Sequence, residues 1–311
     1  DETMSEKPRR IVERIVGQFT ARGFGDYTET DWSETFYDNA GMPSSDSLKW
    51  MNEGDRKFIR FRLKNGDIGR ASTDNQERHS APYWERAELK ARHIFEKNKE
   101  YQIEFQARFV QGFNGRNETF FQVHQYNENC GDGPPLMLKF NRSRLRLDTL
   151  MKPNYGKYNI SNVYIGKRYG KWQAVKIYLD TLHNRVTILI DGELIFNRLN
   201  FFTSKNCSPY MKFGIYRSGN LVTSNNLSIV DFDKIRTTEV KTIIQEEFEL
   251  LNIDQRKKWQ KKLRDFGFKG PLDGEWGRGM AASMRDLIEK HGHLERKDEY
   301  EIIRQITKYL N

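Results

Sequence analysis

Residues 185–196 read RVTILIDGELIF, and that stretch decides the fold. Two runs of β-branched and aliphatic residues flank Asp191-Gly192, a pair suited to a tight two-residue hairpin turn. Similar short runs recur on both sides: KFIRFRL (57–63), YQIEFQARFV (101–110), AVKIYLD (174–180) and LSIVDFDKI (227–235). Gly, Asn, Asp and Pro punctuate the intervals between them. Short strands with turn signals between them predict a mainly β protein, a jelly-roll sandwich rather than a set of βαβ units.

Composition changes near residue 240. TIIQEEFELLN, GMAASMRDLIEKHG and DEYEIIRQITKYL carry a helical period. DQRKKWQKKLRDFGF predicts a further helix, with Asp254 as N-cap and Trp259, Leu263 and Phe266 on one face. The chain therefore divides into a β-jelly-roll domain, 1–240, and a small C-terminal α-helical domain, 241–311. Residues 1–16 carry a short helical pattern of their own.

The 311 residues include 37% hydrophobic and 13% aromatic side chains, enough for a core and suited to a sugar-binding surface. The net charge of +9 suits an acidic partner, either nucleic acid or an acidic polysaccharide. A soluble protein with many surface lysines carries the same charge. No helix-turn-helix, RNA-binding or zinc-finger pattern supports nucleic acid. No apolar run approaches the roughly 18 residues of a membrane span, and no secretory leader is visible. The two cysteines, Cys130 in NENCGDGPP and Cys207 in SKNCSPY, lack zinc-site spacing. They form either a disulfide or two free thiols. Cys130 follows one site-bearing strand and Cys207 precedes another, so a bridge would fix the wall of a groove and favour an oxidising compartment.

That strand is TFFQVHQY (119–126). Alternation puts Phe121 and Val123 on one face and Phe120, Gln122, His124 and Tyr126 on the other. A satisfied buried histidine is one reading of His124, but the pattern recurs. MKFGIYR (211–217) sets Met211, Phe213 and Ile215 against Lys212, Gly214 and Tyr216, with Gly214 leaving space between the cation and the phenol. WERAEL (84–89) sets Ala87 and Leu89 against Arg86 and Glu88. LKFNRSRLRLD (138–148), as one continuous strand, aligns Arg142, Arg144 and Arg146, either as a solvated face or as an attractant for an anionic polymer.

This set holds Arg, Gln, His, Tyr and Lys but no E-x-D-x-E strand of the kind that supplies the two carboxyl groups of glycoside hydrolysis. Elimination from a uronic acid needs other groups. Loss of the C5 proton builds charge on the sugar carboxylate, which a cation and an amide must meet. A base takes that proton and an acid protonates the departing O4. Arg86 and Gln122 suit the first task, His124 and Tyr216 the second.

WERAEL, FFQVHQ, PPLMLKF and KFGIYRSG, in this order, resemble the heparin lyase I-like polysaccharide lyases, over roughly residues 30–237. The resemblance implies a jelly-roll with a concave groove and endolytic β-elimination giving a 4,5-unsaturated uronate, with no redox or nucleotide cofactor. It makes His124 and Tyr216 the acid/base pair and Arg86 and Gln122 the carboxylate binders. Lys212, Glu88, Tyr126 and the arginines 142, 144 and 146 then line the substrate path. Many members hold a structural calcium, for which Asp231 or Asp233 would be the donors here; ordinary surface aspartates are the competing reading. The substrate this implies is an acidic, uronic-acid-containing polysaccharide such as glucuronan or heparin, and the expected location is secreted or periplasmic. A non-catalytic carbohydrate-binding protein of the same fold is the alternative. KLRDFGFKGPLDGEWGRGMAASMRDLI (262–288) is similar to a peptidoglycan-binding-like module, matching at Gly267, Phe268, Gly270, Leu272, Asp273, Gly274 and Gly277. Arg278, Gly279 and Met280 replace its usual Pro-x-Thr. The module either binds a cell-wall or other glycan or packs on the lyase.

Overall fold

The structure is a computed structural model that describes residues 36–38, 42–69, 74–75, 83–91, 95–114, 118–126, 133–151, 157–203, 207–219, 227–291 and 299–311. The helical pattern at 1–16 and Cys130 lie outside the described residues. In chain order the strands are β1 (Phe36–Asp38), β2 (Leu48–Glu53), β3 (Arg56–Lys64), β4 (Trp84–Ala91), β5 (Glu100–Gln111), β6 (Glu118–Tyr126), β7 (Leu136–Asn141), β8 (Arg144–Leu150), β9 (Tyr158–Tyr164), β10 (Trp172–Asp180), β11 (Arg185–Ile190), β12 (Glu193–Asn200), β13 (Ser208–Ser218) and β14 (Leu227–Val240). Four helices follow: α1 (Ile243–Glu249), α2 (Ile253–Leu263), α3 (Arg278–Lys290) and α4 (Glu299–Leu310).

The strands form two antiparallel sheets, ordered β1-β4-β13-β6-β7-β8-β9 and β12-β11-β10-β5-β14-β3-β2. Aromatic rings from both sheets lock the sandwich. Phe213 of the first sheet meets Phe61 and Phe232 of the second at centroid distances of 5.7 and 5.1 Å, and Phe121 stacks on Phe105 at 5.5 Å. Such pairs add to the burial of their area.

The 191–192 hairpin forms as its residues dictate. Asp191 and Gly192 have φ of +49° and +78°, and Ile190 pairs with Glu193. The run RVTILI lacks alternation because both its faces are covered. Ile188 and Ile190 join the core between the sheets, while Leu189 joins Tyr178 and Leu182 under the helices. Trp259, Met284, Leu287 and Ile306 complete that second core. Buried Arg285 of α3 reaches into the sandwich, donating from Nη1 to the Thr181 carbonyl (2.7 Å) and from Nη2 to the Thr203 carbonyl (2.8 Å). Helices and sheets thus share one packed, hydrogen-bonded boundary.

Several local expectations change. The cap of α2 is Asn252, not Asp254: Asn252 accepts from the Gln255 amide while Gln255 accepts from the Asn252 amide. That reciprocal box satisfies two amide donors, and Asp254 sits in the first turn, where its charge suits the helix dipole. The run 138–148 is a hairpin, with Arg142 in the turn at φ +53°. Phe120 packs edge-on against Phe109 at 5.0 Å, in the core rather than beside Gln122. Register irregularities on both sides of it rotate that part of β6. Gly214 serves the backbone: its φ is +141°, and a Cβ there would lie 2.2 Å from the Ala87 carbonyl oxygen and 2.8 Å from Glu88 Cα. Gly214→Ala is expected to lower stability by more than about 1 kcal/mol, since φ and space both oppose it; a denaturant titration checks this.

Cys207, at the start of β13, is disulfide-bonded. Cys207→Ser is expected to cost about 2–4 kcal/mol, and reductant is expected to lower the wild-type melting temperature but not the variant's.

Candidate active site

Strand alternation builds the site on the face of the first sheet that points away from the second. On β4, Ala87 and Leu89 go to the core, so Arg86, Glu88 and Lys90 face out. On β13, Phe213 and Ile215 go inward and Tyr210, Lys212 and Tyr216 outward. On β6, Phe121 and Val123 go inward and Gln122 and His124 outward. Pairing then sets Arg86 opposite Tyr216, Lys90 opposite Lys212, Lys212 opposite Gln122 and Tyr210 opposite His124. Arg86, Gln122, Lys212, His124 and Tyr216 therefore share one strip across three neighbouring strands. His124 and Tyr216 lie toward its two ends.

One buried network organises the Tyr216 end. Asp74 holds Arg86 bidentately, with Nε and Nη2 donating at 2.9 Å each. Arg86 Nη1 donates to Glu88 Oε1 (2.5 Å), and Gln122 Nε2 donates to Glu88 Oε2 (2.6 Å). The Arg86 guanidinium lies 4.0 Å from the centre of the Tyr216 ring, which stacks on Trp84 at 5.2 Å. Gly69 admits Asp74: a Cβ there would sit 2.0 Å from Asp74 Oδ2. At the other end, the His124 ring stacks on Tyr210 (5.6 Å, 16°), whose ring carries Lys90 Nζ at 4.2 Å.

Burial and charge set the protonation states. Burial, aided by the Lys212 cation, pushes His124 down to about 4, so its imidazole is neutral near pH 7. Its Nδ1 lies 2.9 Å from the Gln125 amide nitrogen and 3.0 Å from the Gln125 carbonyl. Accepting from the amide leaves the ring proton on Nε2; donating to the carbonyl leaves Nε2 a lone-pair base. Burial pushes Lys212 down to about 8, with Glu88 working the other way. Burial also opposes the charge on Arg86, but Glu88 and Asp74 outweigh it and hold the proton firmly.

An unfolded histidine titrates near 6.5, above the folded value, so the unfolded chain binds more protons between about 6.5 and 4. Stability is expected to fall as pH drops through that window. Melting curves of His124→Gln are expected to show a shallower fall.

The remaining expected residues are placed differently. Arg146 shares the face of Gln122, through Met137, but its guanidinium is held by Asp148 at 2.6 and 3.0 Å, and Asp148 also pairs with Lys139 at 2.9 Å. Arg144 is exposed at the start of β8 and Arg142 stands in the turn. The Tyr126 backbone ends β6; its side chain lies outside the described residues. Asp231 and Asp233 do not fit a calcium. Both oxygens of Asp231 accept from guanidinium groups, Oδ1 from Arg60 (2.7 Å) and Oδ2 from Arg108 (3.0 Å), and Asp233 pairs with Arg56 at 3.5 Å. Among the described residues no group of three acidic, histidine or cysteine side chains is placed to hold a metal.

A protein-family model described as polysaccharide lyase matches residues 28–236, more than half of the chain. The chain belongs to the polysaccharide lyase family. This polysaccharide lyase is an enzyme acting on polysaccharides. Its match covers the jelly-roll strands from β1 and ends within β14, before the helices. The lyase is similar to solved structures of alginate lyase A1-II′, a member of polysaccharide lyase family 7 (14% identity, 64% of this chain and 86% of the other, TM-score 0.48), of an alginate lyase from Pseudomonas aeruginosa (17%, 63% and 87%, TM-score 0.47) and of one from Klebsiella pneumoniae (12%, 63% and 85%, TM-score 0.44). No curated protein matches it.

Four residues of the lyase's strip escape a reading of its strands. Lys90 extends the alternation of Arg86 and Glu88 and was there to be found. Tyr210 lies two residues before Lys212 on the same face. Trp84 opens β4 and reaches the strip through its stack on Tyr216. Asp74 lies in ASTDNQERHS, a polar stretch with no periodicity, and only the fold brings it to Arg86.

Proposed function

We propose that the lyase cleaves a uronic-acid-containing polysaccharide by β-elimination, leaving a 4,5-unsaturated uronate. The observation that carries this reading is what the strip leaves available. The carboxylates of Asp74 and Glu88 are engaged by Arg86 and Gln122, so the acidic pair of a glycosidase is missing there. A phenol, a neutral imidazole, an amide and an ammonium remain. Gln122 and the two N–H bonds of Arg86 outside these contacts are positioned to meet a sugar carboxylate. Tyr216, beneath the guanidinium, protonates O4. His124 takes the C5 proton when that proton and O4 lie on opposite faces of the ring. When they share a face, Tyr216 serves both steps and the Nε2–H tautomer of His124 orients the sugar.

The balance is simple. The C5–H electron pair becomes the C4–C5 double bond, the C4–O4 bond breaks, and O4 leaves protonated. The test is a panel of glucuronan, heparin and alginate, followed by the ultraviolet absorbance of the conjugated product. Polymer binding without that absorbance on any of them would return the chain to a binding role. The disulfide at Cys207 supports an oxidising location, periplasmic or extracellular. The helices act as a structural buttress, a reading supported by the loop between α2 and α3: Asp273 and Gly274 are held by Gln260.

A further inference from the structure

The cation expected to balance the substrate is already balanced. Arg86 faces two carboxylates, and both are buried, Asp74 at 0% exposure and Glu88 at 2%. One positive against two negative charges leaves that cluster with a net charge of −1. A sugar carboxylate arriving there gains hydrogen bonds from Arg86 but meets repulsion from its two holders.

Lys212 is in the opposite state. It is 6% exposed, it lies on the same face between Lys90 and Gln122, and no carboxylate among the described residues is within ion-pair distance of its ammonium. Burying an ammonium without a counter-ion is costly. For Lys212 the nearest opposite charges, Glu88 and Asp74, are already engaged by Arg86 and Gln122, so the groove holds an ammonium with no direct carboxylate contact and room for one from a ligand. Its neighbour Lys90 has the Tyr210 ring beneath it.

We propose that Lys212 supplies the counter-charge for the carboxylate of the sugar being cleaved, while Arg86, its own charge already balanced, offers that carboxylate hydrogen bonds and holds Tyr216 and Gln122 in place. This rests on the uronate reading above. As the C5 proton leaves, charge accumulates on the carboxylate oxygens, and a fixed ammonium beside them stabilises the transition state more than the ground state. The lowered pKa of Lys212, about 8, agrees with an ammonium lacking its partner. A bound carboxylate reverses that, so uronate binding takes up a proton above about pH 8.

The test uses a glucuronan tetrasaccharide and its carboxyl-reduced, neutral counterpart, titrated calorimetrically into full-length Tyr216→Phe protein so that no turnover intervenes. The parent is expected to prefer the uronate. Adding Lys212→Met is expected to remove that preference, weakening uronate binding about 30-fold or more, the scale of a lost buried charge pair. Adding Lys212→Arg is expected to keep the preference and to abolish the weakening of affinity above pH 8. Adding Asp74→Asn is expected to keep the preference, and in the Tyr216 background to lower kcat more than it changes KM. A Lys212→Met protein with a native melting curve and the parent's preference overturns the assignment. So does loss of the preference in Lys90→Met but not in Lys212→Met, or a parent with no preference. If Lys212→Met fails to fold, Lys212→Arg decides: an alkaline weakening equal to the parent's overturns the proposal. Polymer cleavage is read separately, so a protein that binds through Lys212 and cleaves nothing sinks the lyase reading alone.

Discussion

Tyr216→Phe is expected to fold, to bind polymer and to lose elimination by about 10²- to 10⁴-fold, the usual contribution of a general acid or base. The ring's contacts explain why folding should survive. Trp84 stacks on the ring and the Arg86 guanidinium lies over it, and a phenylalanine keeps both surfaces. Only the hydroxyl goes. Initial rates on the best polymer of the panel, with binding measured alongside, check the expectation. A folded Tyr216→Phe protein that cleaves at a near wild-type rate would remove Tyr216 from the chemistry and the mechanism with it.

The second large effect is on stability. Removing residues 241–311 is expected to leave a chain that does not accumulate in soluble form. Tyr178, Leu182 and Leu189 are buried under the helices. Exposing large apolar side chains costs about 1.5–3 kcal/mol each, and a typical protein holds only about 5–15 kcal/mol in all. The Thr181 and Thr203 carbonyls lose Arg285 as well. Arg285→Ala on the intact chain is the milder version, expected to cost about 1–3 kcal/mol for each buried acceptor left unmet. A soluble truncated protein melting like the parent would show that the helices are a separate module.

Alternation made most of the sandwich legible, because one face of each site strand is apolar and the other is not. It failed where the period breaks. Phe120 sits beside register shifts that no single strand announces, and Arg142 occupies a positive-φ turn inside what reads as one strand. Gly214 showed itself as a glycine in a strand, but its reason lies across the sheet, in the Ala87 carbonyl. The N-cap of α2 went to Asn252 because the box needs Gln255 three residues on, a pairing that Asp254 cannot make. At the site, Arg86, Gln122, His124, Lys212 and Tyr216 were readable as outward positions. Their charge balance was not, since Asp74 comes from a stretch with no pattern at all.

The β7–β8 hairpin carries Lys139, Arg144 and Arg146 on the face of the strip, beside Gln122, with Arg144 open to water. Arg86 and Lys212, on the same strip, are only 9% and 6% exposed. Dissolved ions screen exposed charges over about 10 Å at 0.1 M and buried ones far less. Ionic strength should therefore separate capture from bond breaking: added salt raises KM for a long anionic chain, while kcat on bound chain holds nearly constant.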